Sequence, residues 1–192
     1  MQKPIVIMIF GLIAAACSSD QPAPTEFEVT APLYVKGGNS IDNMNSHLTG
    51  SEEVLVDTFP SHPRVTPAQG QAIFRVDGTD VEFRLIASNI ENVIMAHIHC
   101  GAFGANGPIR IWLHPVIGTS GSQAANGGGA QDGVLASGTF SAAGVTCPGG
   151  QPLLDAMRAG ATYVNVHTND GVGGINTGPG DFPGGEIRGQ ID

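Results

Sequence analysis

The sequence predicts an all-β fold, a Greek-key β-sandwich or barrel of about eight or nine short strands with one short helix, of the superoxide dismutase-like or immunoglobulin-like kind. Three observations carry that expectation. Apolar residues alternate with polar ones over runs of five to eight positions, which is the period of a strand with one buried face. Glycine is abundant, 28 of 192 residues, and falls between those runs. Charged residues make up only 13%, too few for the solvated faces of a helical bundle of this length. One core and no second domain are expected at this size.

The elements follow in order. Met1-Gln2-Lys3 is a basic start, Ile5 to Ala16 is apolar, and Ala14-Ala15-Ala16 precede Cys17. The apolar run is too short to cross a bilayer as a helix and has the form of a secretory signal. It is similar to a bacterial lipoprotein signal, in which Cys17 becomes the lipidated first residue; an ordinary cleaved signal is the alternative. Residues 1–17 are therefore expected to be removed or processed, and the mature chain is expected outside the cytoplasm, at the outer membrane, in the periplasm or on the cell surface. Residues 18–45, with Pro22, Pro24, Pro32 and Gly37-Gly38, read as a flexible tether with a short strand at Phe27–Thr30. The folded domain is expected over 46–192.

Within it, Asp57 to Pro67 is a proline-rich loop. Gln71–Val76 and Val81–Ala87 alternate cleanly and are joined by Asp77-Gly78-Thr79-Asp80, a hairpin turn. Val93–Cys100 is the next strand, then a glycine turn, then Ile109–Leu113. Gly118 to Gly133 is a low-complexity stretch of Gly, Ser, Ala, Gln and Asn, expected to be mobile. Val134–Phe140 is a strand. Pro152–Ala159 is the helix, with Leu153, Leu154 and Met157 on one face and Gly160 at the C-cap position. Thr162–Thr168 and Glu186–Ile191 are the last strands.

The net charge is −9, so no basic patch exists to neutralise phosphates, and nucleic acid is excluded as a partner. Contact with membrane is expected through the lipid anchor alone. No nucleophile elbow and no phosphate-cradling loop are present.

The chemistry gathers on histidine. His97 and His99 lie two apart on one strand, so both imidazoles leave the same face, about 7 Å apart along the chain. Tyr163, Asn165 and His167 share a face of another strand. Three imidazoles with an open position suit copper or zinc. Glu186 is a weaker candidate, as a fourth ligand or as the carboxylate that orients a ligand histidine, with a salt bridge to Arg188 or another surface arginine as its plain alternative. His114, beside Pro115, is weaker still. Met95 shares the face of His97 and reads as packing, with a soft copper ligand as the alternative. With Cys17 assigned to the anchor, Cys100 and Cys147 remain, and two cysteines in an oxidising compartment read as a disulfide; a Cys100 thiolate ligand is the alternative. The bridge would close a loop of about fifty residues, worth about 4 kcal/mol.

Three segments together resemble the CHRD domain, first described in chordin and found in bacterial secreted proteins. They are Leu48-Thr49-Gly50 with Glu52-Glu53; Ala96-His97-Ile98-His99 with Gly101, Gly104 and Gly107-Pro108; and Tyr163-Val164-Asn165-Val166-His167-Thr168 with Pro183-Gly184-Gly185-Glu186-Ile187-Arg188-Gly189-Gln190-Ile191. The resemblance covers about 46–192 and implies an extracytoplasmic module without an established enzymatic activity. In chordin such domains belong to an extracellular antagonist of growth factors; an extracellular protein partner of this chain is left unidentified. A fainter resemblance is to copper-zinc superoxide dismutase, whose copper histidines would correspond here to His97, His99, His114 and His167. Residues 115–140 hold no histidine and only Asp132, so the zinc half of that site is missing.

The leading expectation is a non-catalytic, lipid-anchored binding module with a mononuclear copper or zinc site at His97, His99 and His167. The alternatives are a structural or adhesive surface module without metal, and a copper oxidoreductase of dismutase type.

Overall fold

The computed structural model describes residues 42–55, 64–124, 128–173 and 176–192. The expected signal 1–17 with Cys17, the tether up to residue 41 with its strand at 27–30, and His62 in the proline-rich loop lie outside the described residues.

Among the described residues there are eight strands: β1 (Asp42–Thr49), β2 (Gln69–Asp77), β3 (Asp80–Glu91), β4 (Val93–Cys100), β5 (Ile109–His114), β6 (Ala130–Ser141), β7 (Thr162–Thr168) and β8 (Ile187–Gln190). A helix, α1 (Leu153–Arg158), precedes β7. The strands form one sheet in the order β5-β4-β7-β8-β1-β2-β3-β6, antiparallel at every pairing. The connections from β3 to β4 and from β6 to β7 skip over neighbouring strands, as in a Greek key. The sheet curls until its edges nearly meet. Ile117, just past β5, stands over Gly138 of β6, where an added Cβ would lie 2.5 Å from its Cδ1. The result is the expected all-β architecture in its barrel form.

Alternation builds the core. On β2, Ala72, Phe74 and Val76 face inward; on β3, Val81, Phe83 and Leu85 oppose them; Ile98, Ile111, Leu113, Val164, Val166 and Ile187 complete the lining. Leu153, Ala156 and Met157 of α1 are fully buried and close one end. Each large side chain removed from water contributes about 1.5–3 kcal/mol before entropy is subtracted. The disulfide Cys100–Cys147 ties the end of β4 to the segment before α1, with Cα atoms 5.6 Å apart.

Three boundaries differ from the sequence expectation. β1 begins at Asp42, inside the expected tether, because its first residues pair with Val76 to Ile73 of β2. β3 runs on to Glu91 through a register shift between Ala87 and Ile90, with Asn89 at φ 53°. The low-complexity stretch also contributes structure: β6 starts at Ala130, and Gly118 pairs with Trp112. Gly121 lies flat on the indole, where a Cβ would come within 2.7 Å of Trp112 Cδ2. Ala124 N–H then donates to the Ile94 carbonyl at 3.0 Å. Glycine here permits a close approach of backbone to ring, so this part of the stretch is laid down on the barrel.

A barrel strand ordinarily has one wet face, yet β4 is buried at all but one position and β7 at every position. Their outer faces are roofed by three segments: 101–108, the described parts of 53–66, and 176–186. The polar residues on those outer faces are thereby enclosed.

Candidate metal centre

The strand register brings the histidines together. Across β4 and β7, Met95 is opposite His167, His97 opposite Asn165, and His99 opposite Tyr163. His167 is therefore diagonal to His97, within reach of a long side chain. The His97 ring lies 5.5 Å from His99 and 5.1 Å from His167, centroid to centroid. One nitrogen of each ring lies within 4.8 Å of one nitrogen of each other ring. Three nitrogens at 2.0–2.1 Å from a central ion stand about 3.5 Å apart, so each ring needs to move inward by less than about 1 Å.

The roof fixes two tautomers. His99 Nδ1 is 2.7 Å from the Gly107 carbonyl, and His167 Nδ1 is 2.9 Å from the Pro183 carbonyl. A carbonyl only accepts, so each Nδ1 carries the hydrogen and each neutral ring holds its lone pair on Nε2. Those two Nε2 atoms, and both nitrogens of His97, are buried with no hydrogen-bond partner among the described residues. Burial suppresses protonation. His97 is pushed down to about 3, first by desolvation and then by the neighbouring His167 and His99. His167 is pushed down to about 4 for the same leading reason, and His99 is lowered as well. At neutral pH the cluster is three neutral rings: the Nε2 lone pairs of His99 and His167 are unmet, and His97 carries one N–H and one lone pair on two unpartnered nitrogens. An unmet buried polar atom costs about 1–3 kcal/mol; a cation accepting all three lone pairs removes that cost.

Aromatic rings wall the cluster. Trp112 meets His97 edge to face at 4.2 Å. Tyr163 stacks on His99 at 4.7 Å, nearly parallel. The Arg188 guanidinium lies 3.4 Å above the same Tyr163 ring and donates to Asn106 Oδ1 and the Ala105 carbonyl. The Tyr163 hydroxyl accepts from Gly107 N–H at 3.2 Å, so Gly107 is held from both sides. Its glycine identity matters, because a Cβ there would run into the Cys100 carbonyl.

The remaining candidates fall elsewhere. Glu186 is fully buried, but its carboxylate accepts from Thr66 Oγ1, Thr168 Oγ1 and Gly180 N–H. It pins the roof to β7; the carbonyls of Gly107 and Pro183, not Glu186, orient the histidines. Glu186 forms no salt bridge with Arg188, and the arginine whose charge it supports is Arg64. His114 pairs across from Ala96 on β5 and is outside the cluster. Met95 is half-buried beside His167 in the ladder. Cys100 is in the disulfide and leaves the opposite face of β4 from His99.

Several participants were not singled out from the sequence: the Gly107 and Pro183 carbonyls, Trp112, Arg188 and Glu53. Glu53 is buried near Arg188, Arg64 and Asn165, and desolvation pushes it up to about 8 against the pull of those arginines. Its Oε1 has no partner among the described residues. The sequence signal for Gly107, Pro183, Arg188 and Glu53 was their membership of the three segments quoted above for the family resemblance; Trp112 lies outside those segments.

A family model described as the CHRD domain matches residues 44–191. No curated protein and no solved structure matches the chain significantly.

Proposed function

This chain belongs to the CHRD-domain family, and from that premise we propose that it is an extracytoplasmic, lipid-anchored binding protein that holds one copper or zinc ion on His97, His99 and His167. The observation that carries the metal reading is the convergence of three buried histidine rings with ring nitrogens that have no hydrogen-bond partner among the described residues. In a structural or adhesive module the same rings would be expected to hydrogen-bond within the sheet or roof at both nitrogens. A non-catalytic role is supported by enclosure: the converging nitrogens are shielded from solvent, whereas a dismutase-type copper must meet its substrate. The basic start, the apolar run and Cys17 after it support the anchor.

Metal analysis of protein purified from the extracytoplasmic fraction tests the reading. One equivalent of copper or zinc is expected, and none in the His97→Ala/His99→Ala double variant. The single tryptophan of the chain touches His97, so its fluorescence is expected to fall on copper addition. Absence of bound metal at micromolar copper and zinc refutes the proposal. Release of the Cys17→Ser variant from the membrane fraction tests the anchor separately.

A further inference from the structure

We propose that the centre is selective for copper in its monovalent state, Cu(I), over Zn(II) and Cu(II). The inference rests on the metal reading above and adds the identity and charge of the ion.

Charge is the first argument. The donor set is three neutral imidazoles, with no carboxylate among the described residues that could join it. The Glu186 carboxylate already accepts three hydrogen bonds. A fixed positive charge stands close by: Arg188 lies on the far side of the Tyr163 ring that stacks on His99 and disfavours further positive charge on that histidine. The cost of placing an ion in a poorly polarisable site grows as the square of its charge, so a dication faces about four times the penalty of a monocation. Three neutral ligands donate lone pairs but bring no negative charge to offset it.

Coordination number is the second. Zn(II) in protein sites is almost always four-coordinate, and Cu(II) favours tetragonal surroundings. Both would need at least one ligand beyond the three rings. The converging nitrogens are sealed from solvent, Trp112 packs against His97 at 4.2 Å, and His99 is covered by Tyr163. A filled-shell monovalent ion is satisfied by two or three nitrogen donors in a plane, which is what this enclosure supplies.

The test is an anaerobic titration of the mature protein with Cu(I) against a chromophoric Cu(I) chelator, alongside separate titrations with Zn(II) and Cu(II). Trp112 fluorescence and X-ray absorption serve as readouts, and Ag(I) serves as a monovalent probe that cannot be oxidised. One Cu(I) per chain is expected, with a shell of three nitrogens and no oxygen. One Ag(I) is expected in its place, and about a tenfold excess of Zn(II) should not displace the copper. Zn(II) or Cu(II) binding at equal or lower free concentration than Cu(I), or a fourth oxygen ligand on bound copper, overturns the selectivity while leaving a metal site standing. Binding of none of these ions overturns both. The His97→Ala and His167→Ala variants are controls, and either one retaining full Cu(I) occupancy also overturns the assignment.

Discussion

Replacing His97 by leucine is expected to make the metal-free protein more stable while abolishing its response to metal. His97 is completely buried, and neither ring nitrogen has a partner among the described residues. Each orphaned buried polar atom costs about 1–3 kcal/mol, so removing two returns at least about 2 kcal/mol. The edge-to-face contact with Trp112 at 4.2 Å is lost, at a cost of about 0.5–1.5 kcal/mol. Leucine is of similar volume, so overpacking is small. The balance is a gain of about 1 kcal/mol or more, or about 2–4 °C in melting temperature for a domain of this size. The wild type at a hundredfold excess of free metal over Kd should gain about 2.7 kcal/mol, and the variant nothing. Thermal unfolding followed by circular dichroism, with chelator and then with metal, reads both effects. A variant less stable than the metal-free wild type would mean that the ring is satisfied within the fold. A variant that keeps the metal-induced shift would mean that the ligands lie elsewhere.

Other expectations follow from the same groups. His97 and His167 titrate near 3 and 4 in the fold against 6.5 in the open chain, so the unfolded state takes up protons first as pH falls. Metal-free stability from this source is complete above 6.5 and is lost below it, at up to about 2.7 kcal/mol per pH unit for the pair, measurable as urea midpoints. Glu53 acts in the opposite sense: with its pKa raised to about 8, its contribution is complete below 4.5 and is lost as pH rises towards 8. Glu53→Gln should therefore flatten the decline between pH 6.5 and 8, and an unchanged decline in that variant would remove Glu53 as its cause. Gly107→Ala drives a methyl into the Cys100 carbonyl and should pull the Gly107 carbonyl from His99 Nδ1, weakening metal binding by about tenfold or more. Competitive chelation measures that loss, and unchanged affinity counts against the carbonyl as the tautomer lock. Cys100→Ser/Cys147→Ser should lower stability by about 4 kcal/mol in the chain-entropy model, seen as an earlier denaturant midpoint.

The barrel was readable because its strands obey a period of two. Phe74 against Ile73 and Val164 against Asn165 announce which side is dry, and β7 falls on the expected Thr162–Thr168. The histidines were readable for the same reason, since alternation puts His97 and His99 on one face and His167 on the matching face of its own strand. That β4 and β7 are neighbours was not readable, because pairing between residues some seventy apart in sequence depends on the whole topology. The roof was not readable either. Its contacts are backbone carbonyls of Gly107 and Pro183, which every residue type carries, and Glu186 reads as a surface acid until Thr66 and Thr168 are seen to engage it. Gly121 was not readable for a different reason: in sequence its missing side chain looks like a loop feature, and in the fold it is what lets the backbone lie on Trp112.

The stitching above the histidines bears on time as well as geometry. Arg64 holds the Gly185 carbonyl, Asn106 holds the Val54 carbonyl, and Arg188 holds the Ala105 carbonyl. In the metal-bound form proposed above, an ion would pass only when some of these bonds part together. Uptake and loss would then be paced by how often the cover lifts, not by diffusion, and the loaded protein would be a slow exchanger with a long residence time set by local opening.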